Sequence, residues 1–167
     1  ACNDRLDHCQ TLAVAGLVGE LITYANATGV TESQLEVLLK QAFYSARRLN
    51  LVKEIFDYAK RQNIVWEDGF VFEIRQGCIL RGDLLGLKAL LDHGYNVSLE
   101  SLQTTLAYRH LKLEGLEVKG HLEIVRLQPQ KYLIGWVDSI TRANGWRSEE
   151  EREFAYSVLR KPAKKEQ

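Results

Sequence analysis

The 167-residue chain carries 22 Lys and Arg against 22 Asp and Glu, a formal net charge of zero, and 46% of its residues are hydrophobic. That balance excludes a chain that holds polyanions through bulk positive charge, and the apolar content excludes an intrinsically disordered one. Cys2, Cys9 and Cys78 make an odd count with no CxxC pair, which points to reduced thiols in an intracellular or organellar compartment.

The opening CNDRLDHC gathers Cys2, Asp4, Asp7, His8 and Cys9. Their spacing fits no standard zinc site and has no second half elsewhere, so a frayed first turn without metal is expected. Residues 11–28 place Val14, Leu17, Val18, Leu21, Ile22 and Ala25 at helical spacing. Thr31 with Gln34 then reads as a capping box, opening a helix whose stripe is Leu35, Leu38, Leu39, Ala42, Phe43 and Ala46. Asn50 caps the next helix, with Val52, Ile55, Phe56 and Ala59 inward, and so short a break forces an antiparallel hairpin. Asp68-Gly69 starts a helix to Leu80, Arg81-Gly82 turns, and Asp83 caps a helix carrying Leu84, Leu87, Leu90 and Leu91. Ser98 caps another, through about Leu113, with Leu99, Leu102 and Leu106 inward. Residues 114–130 have two glycines and alternating aliphatics, compatible with an irregular helix or a strand pair. Beyond them Leu133, Trp136, Val137 and Ile140 form one helical stripe, and Phe154, Ala155, Val158 and Leu159 another, opened by a Ser148/Glu151 capping box. Glu149, Glu150 and Glu151 occupy a first turn, where the helix dipole favours acids. The expected organisation is a helical-hairpin region over 1–113, an irregular segment with two helices over 114–160, and a basic, Pro-broken, disordered tail over 161–167.

An internal echo runs through this pattern. ELITYANATGV (Glu20 to Val30) and EIFDYAKRQNI (Glu54 to Ile64) share Glu, two apolar residues and Tyr-Ala. Each then closes on Gly29-Val30 or Asn63-Ile64, at an offset of 34 (Tyr24 to Tyr58). Gly and Asn most readily take the left-handed conformation that ends a helix, so each copy predicts a helix, a cap and an apolar staple. KALLDHGYNVS supplies a weaker third copy, with Gly94 and Asn96 as the break and Val97 at 33 residues from Ile64. A period of this length predicts stacked helix pairs.

The run LKQAFYSARRLNLVKEIFDYAKRQNI, Leu39 to Ile64, resembles a pentatricopeptide repeat in its Arg48-Leu49-Asn50 turn, its small Val52, its Phe56 and its Asn63-Ile64 end. Leu12 to Val30 resembles the second helix of a preceding unit and RQGCILRGDLLGLKALLDHGYNVS a shortened following one, so the likeness covers 12–113. It implies an all-α fold of antiparallel helix hairpins stacked as a short right-handed superhelix, an α-α solenoid. A rival resemblance exists: GDLLGLKALLDHGYNVS and GHLEIVR look like the second half of an ankyrin repeat. No TPLH-like turn accompanies them, and the first two helix pairs are long for that family. Tetratricopeptide repeats share the period but normally place a Pro between units, absent here.

Pentatricopeptide proteins are typically organellar, in mitochondrion or plastid, and read single-stranded RNA one base per repeat. The positions matching their base-reading residues fall at about Val37 and Phe70, which offer no base-edge hydrogen bonds. The resemblance therefore implies an RNA-associated subunit of an organellar ribonucleoprotein or ribosome without sequence-specific readout, contacting single-stranded RNA or rRNA and other proteins of a larger assembly. Arg47, Arg48, Lys60 and Arg61, with Lys53 nearby, are the residues expected to meet phosphates, against the plainer reading of a solvated rim. The alternative is a protein-protein interaction adaptor with an ankyrin-like surface and no RNA. Basic side chains lining a groove would favour the first, scattered on a rim the second.

No GxSxG, HExxH, P-loop or GxGxxG occurs, and His8, His93, His110 and His121 are scattered. Arg81-Gly82-Asp83 spells an adhesion tripeptide but sits in a turn with Asp83 as cap. The expectation is a non-enzymatic protein with no cofactor and no small-molecule substrate. No apolar run reaches membrane-spanning length.

Overall fold

The computed structural model describes residues 2–45, 51–113 and 130–160. Among them all regular structure is helical: α1 (Cys2–Val14), α2 (Val18–Ala27), α3 (Glu32–Ser45), α4 (Leu51–Arg61), α5 (Asp68–Arg81), α6 (Leu84–Asp92), α7 (Leu99–Leu113), α8 (Gln130–Arg142) and α9 (Glu149–Arg160). The all-α class expected from periodicity is the class observed, and no helix is long and apolar enough to cross a membrane among the described residues. The chain forms two compact units, Ala1–Ile74 and Arg75–Gln167, with the boundary inside α5. The division expected after residue 113 follows the repeat pattern instead; α7, which it would group with the repeats, packs on α8 and α9. Asn50, most of segment 114–130 and the tail 161–167 lie outside the described residues.

In the first unit α1 packs on α3 and α2 on α4, while α1 touches α2 and α3 touches α4. First helix thus lies on first helix and second on second, each turning its apolar stripe inward. Cys9, Leu21, Ile22, Ala25, Leu39, Phe43, Ile55 and Phe56 are the buried result. Burial of each large aliphatic or aromatic side chain contributes about 1.5–3 kcal/mol. Phe56 stacks on Phe70 at 6.5 Å, and Phe70 also meets Trp66 at 5.1 Å.

Two expectations need correction here. The stripe read as one helix over 11–28 is broken at Gly16, which takes φ +74°. The amide of Gly16 donates to Ala13 O (2.9 Å) and that of Leu17 to Leu12 O (3.0 Å), the paired bonds of a Schellman end. The spacing concealed the break because Val18, Leu21, Ile22 and Ala25 restart a stripe almost in phase. Val14 and Leu17, counted in that stripe, are 58% and 40% exposed. The opening octad, expected to fray, belongs to α1 from Cys2 onward. Arg5 Nη1 donates to Thr28 O at 2.6 Å and so satisfies the C-terminal end of α2, and His8 meets the Tyr24 ring edge-on at 4.5 Å.

The caps of the echo are as expected. Gly29 and Asn63 have φ +74° and +56°, with Val30 N bonded to Ala25 O (3.0 Å) and Ile64 N to Ala59 O (2.8 Å). The third copy ends earlier than its Asn96-Val97 reading: Gly94 has φ +87° and Tyr95 N bonds Leu90 O at 2.9 Å. That places the break 31 positions after Asn63. The Thr31/Gln34 capping box is reciprocal, Gln34 N to Thr31 Oγ1 at 3.2 Å and Thr31 N to Gln34 Oε1 at 3.0 Å.

In the second unit α6 packs on α7 and α9, and α8 on α7 and α9. Leu84, Leu106, Val137, Ile140 and Ala155 form its buried cluster, flanked by Trp136, Trp146, Phe154 and Tyr156. Asp83 caps α6, its Oδ1 accepting from Gly86 N at 3.0 Å. A Cβ on Gly86 would stand 2.5 Å from Cys78 Sγ and 2.7 Å from Asp83 Oδ2, so this position has room for glycine alone. The left-handed residues Gly82 and Asn144 end α5 and α8.

Candidate functional site

The residues expected to meet phosphate divide as follows. Arg47 and Arg48 lie outside the described residues. Lys60 and Arg61 are exposed in the last turn of α4. The Arg61 guanidinium lies 6.0 Å from the centre of the Tyr58 ring, and the Tyr58 hydroxyl accepts from Asn26 of α2. Arg61 borders a groove of about 460 Å³ between the first turns of α2 and the body of α4, which also carries Glu20, Glu54 and Asp57. Lys53 is held by Asp57 at 2.6 Å. Three carboxylates against one arginine make this groove acidic, and phosphate brought here meets net like charge.

A second groove of about 210 Å³ lies between α1 and α3, lined by Leu6, Gln10, Gln34, Val37, Leu38 and Gln41. It follows from the pairing of first helices: aliphatic side chains form the floor and three primary amides the rim. Val37 is 54% exposed there, whereas Phe70, the other position matched to base reading, is buried in the core. Amides both donate and accept, so this uncharged groove can pair with peptide backbone while its floor covers apolar side chains.

The second unit contains the strongest polar constellation, and sequence reasoning missed it. Arg109 and Glu151 are 5% and 0% exposed. Arg109 Nη1 and Nη2 each donate to a Glu151 carboxylate oxygen at 2.7 Å, a two-pronged charge-assisted pair. The same guanidinium donates to Gly82 O (2.7 Å) and Gly145 O (3.1 Å), both at left-handed helix ends. Glu151 also accepts from Arg147 N at 2.9 Å, while its own amide is capped by Ser148 Oγ at 3.1 Å. The capping box was thus half legible: Ser148 does its expected work, but the carboxylate serves Arg109 and Arg147 N. The available signal was the stripe Leu102, Leu106, Arg109, which puts a guanidinium where an apolar residue should be.

Charges crowd the edge of this pair. Burial lowers the Lys112 ammonium pKa, and Arg147, Arg109 and Arg81 lower it further. Arg147 is lowered by burial and by Arg109, with Asp83 and Glu151 opposing; its Nη1 is 4.0 Å from Asp83 Oδ1. Burial pushes the Cys78 thiol well above its ordinary range and the Asp83 carboxylate adds to this, with Arg81 opposing. In the first unit Cys9 is also raised by burial, Arg5 opposing.

Among the described residues no three His, Cys, Asp or Glu side chains are grouped to hold a metal ion. Compared with protein-family models, curated proteins and solved structures, the chain matches none.

Proposed function

We propose that this chain is a non-enzymatic helical-repeat scaffold whose first unit receives an extended segment of a partner protein in the groove between α1 and α3. The observation that carries the reading is the contrast between its two grooves. The α1/α3 groove is uncharged, with Leu6, Val37 and Leu38 as floor and Gln10, Gln34 and Gln41 as rim. The groove beside Arg61 presents Glu20, Glu54 and Asp57. An apolar floor with a polar, uncharged rim is the composition of a protein contact, and depletion of charge at its centre supports it. The alternating contacts of α1 with α3 and α2 with α4 support a stacked-hairpin architecture, in which successive first helices build a continuous surface. The organellar RNA-associated reading rests on Lys60 and Arg61, whose surroundings weigh against a phosphate track.

A photoreactive residue placed in cells at Val37, and separately at Arg61, tests this. Protein adducts from position 37 that persist after ribonuclease and disappear when Gln34 and Gln41 become Glu are the expected result. Ribonuclease-sensitive adducts from position 61, with none at 37, would overturn it in favour of the RNA subunit.

A further inference from the structure

We propose that the second unit holds a site for a compact dianionic oxyanion, a phosphate either free or as a monoester, formed by Arg81, Lys112 and Arg147 around the Arg109–Glu151 pair. Arg109 fixes the geometry. Its bond to Gly82 O holds the turn that follows Arg81, and its bond to Gly145 O holds the turn that precedes Arg147. Lys112 stands three residues after Arg109 on α7, one helical turn along the same face. Three cations from three different elements are therefore gathered about one buried guanidinium.

The counter-charge present does not match them. Four cations (Arg81, Arg109, Lys112, Arg147) share two carboxylates, Asp83 and Glu151. Both oxygens of Glu151 are taken by Arg109, one of them also by Arg147 N. Asp83 accepts from Gly86 N and reaches Arg147 only at 4.0 Å. Lys112 has no ion pair among the described residues, and the charges acting on it are all arginines. An anion seated there would relieve that repulsion. A convergent cluster suits one group bearing two charges; a phosphodiester strand, with one charge per linkage, suits a line of cations. Arginine forks grip phosphate oxygens in pairs and lysine adds a point charge, the division of labour phosphate sites use.

The test is calorimetric titration of the full chain with inorganic phosphate and with phosphoserine, at ionic strength held constant with chloride. One phosphate per chain is expected, with Lys112→Gln and Arg147→Gln each weakening it at least tenfold. Lys112→Arg should retain it, and Lys60→Gln with Arg61→Gln should leave it unchanged. Tighter binding of phosphoserine would identify an esterified ligand, tighter binding of inorganic phosphate a free ion. Melting curves of Lys112→Gln equal to the parent's confirm that it is folded, Lys112 being exposed. The proposal fails if phosphate gives no more heat than chloride. It fails equally if Lys60→Gln and Arg61→Gln reduce binding as much as Lys112→Gln does, or if single-stranded RNA lacking a terminal phosphate binds better than phosphate through these same residues.

Discussion

Replacing Arg109 by Met isolates what the buried ion pair does. The side chains have similar length, so the substitution removes charge and donors with little change of volume. Four hydrogen bonds disappear, two to Glu151 and one each to Gly82 O and Gly145 O. Glu151 is left as a fully buried carboxylate with Arg147 N and no counter-ion. Breaking one side of such a pair costs about 3–5 kcal/mol. A unit of this size loses about 4–8 °C of melting temperature per kcal/mol, so a fall of roughly 12–40 °C follows. Glu151→Leu alone should cost about as much, since it strands the guanidinium instead. The double variant should cost roughly what either single does, because no uncompensated charge remains and only the two turn carbonyls lose a donor. Urea unfolding followed through tryptophan fluorescence reads this directly, Trp136 and Trp146 flanking the cluster of the second unit. An Arg109→Met variant within about 1 kcal/mol of the parent would refute the argument, as would single losses that simply add in the double variant.

Gly86→Ala should cost about 1–3 kcal/mol by overpacking against Cys78 and Asp83, while Gly29→Ala and Asn63→Ala should each cost about 1 kcal/mol through their left-handed backbone; thermal melts that rank Gly86→Ala as the mildest would contradict this. Phe56→Ala should cost about 3–5 kcal/mol, since Phe56 is buried against Phe70, and a urea midpoint close to the parent's would remove it from the core. The Cys78 thiol is raised in the folded chain, so its contribution is fully present below the unfolded thiol range of about 8.5 and is lost as pH rises above it. Urea midpoints should therefore fall more steeply from pH 8 to 10 in the parent than in Cys78→Ala, and parallel profiles would show that Cys78 plays no part.

The sequence disclosed what is local. Capping chemistry at Thr31/Gln34, Asp83 and Ser98 is decided within four residues and is found as read. Apolar stripes predicted the buried positions of α3, α4 and α6 because a 3.6-residue period reports which face turns inward. Gly16 escaped because glycine stops a helix without disturbing the apolar residues on either side. Arg109 and Glu151 escaped for a different reason: they are 42 positions apart, and no period links a guanidinium on one helix to a carboxylate in the first turn of another. The grooves are further still from the sequence. Gln10, Gln34 and Val37 look like ordinary surface residues until α1 is laid on α3.

The 34-residue echo can now be divided into a general part and a specific one. Left-handed residues end helices at Gly16, Gly29, Asn63, Gly82, Gly94 and Asn144 alike, so the cap by itself marks a helix end and carries no information about repetition. The remaining positions do. Leu21 and Ile55, Ile22 and Phe56, and Ala25 and Ala59 are matched across the echo, and all six are buried. Glu20 and Glu54, also matched, line the same groove between α2 and α4. Equivalent positions are therefore brought together, as they must be when two helices of one pattern pack in register. Such packing multiplies whatever the pattern carries: an inward position becomes a continuous core, and a single outward glutamate becomes two carboxylates facing one groove. Like charges so placed repel, at a cost of a few tenths of a kcal/mol on a solvated surface. The same register that organises the first unit thus makes its second-helix face acidic, and leaves the first-helix face, with its glutamines and aliphatic side chains, as the surface suited to another protein.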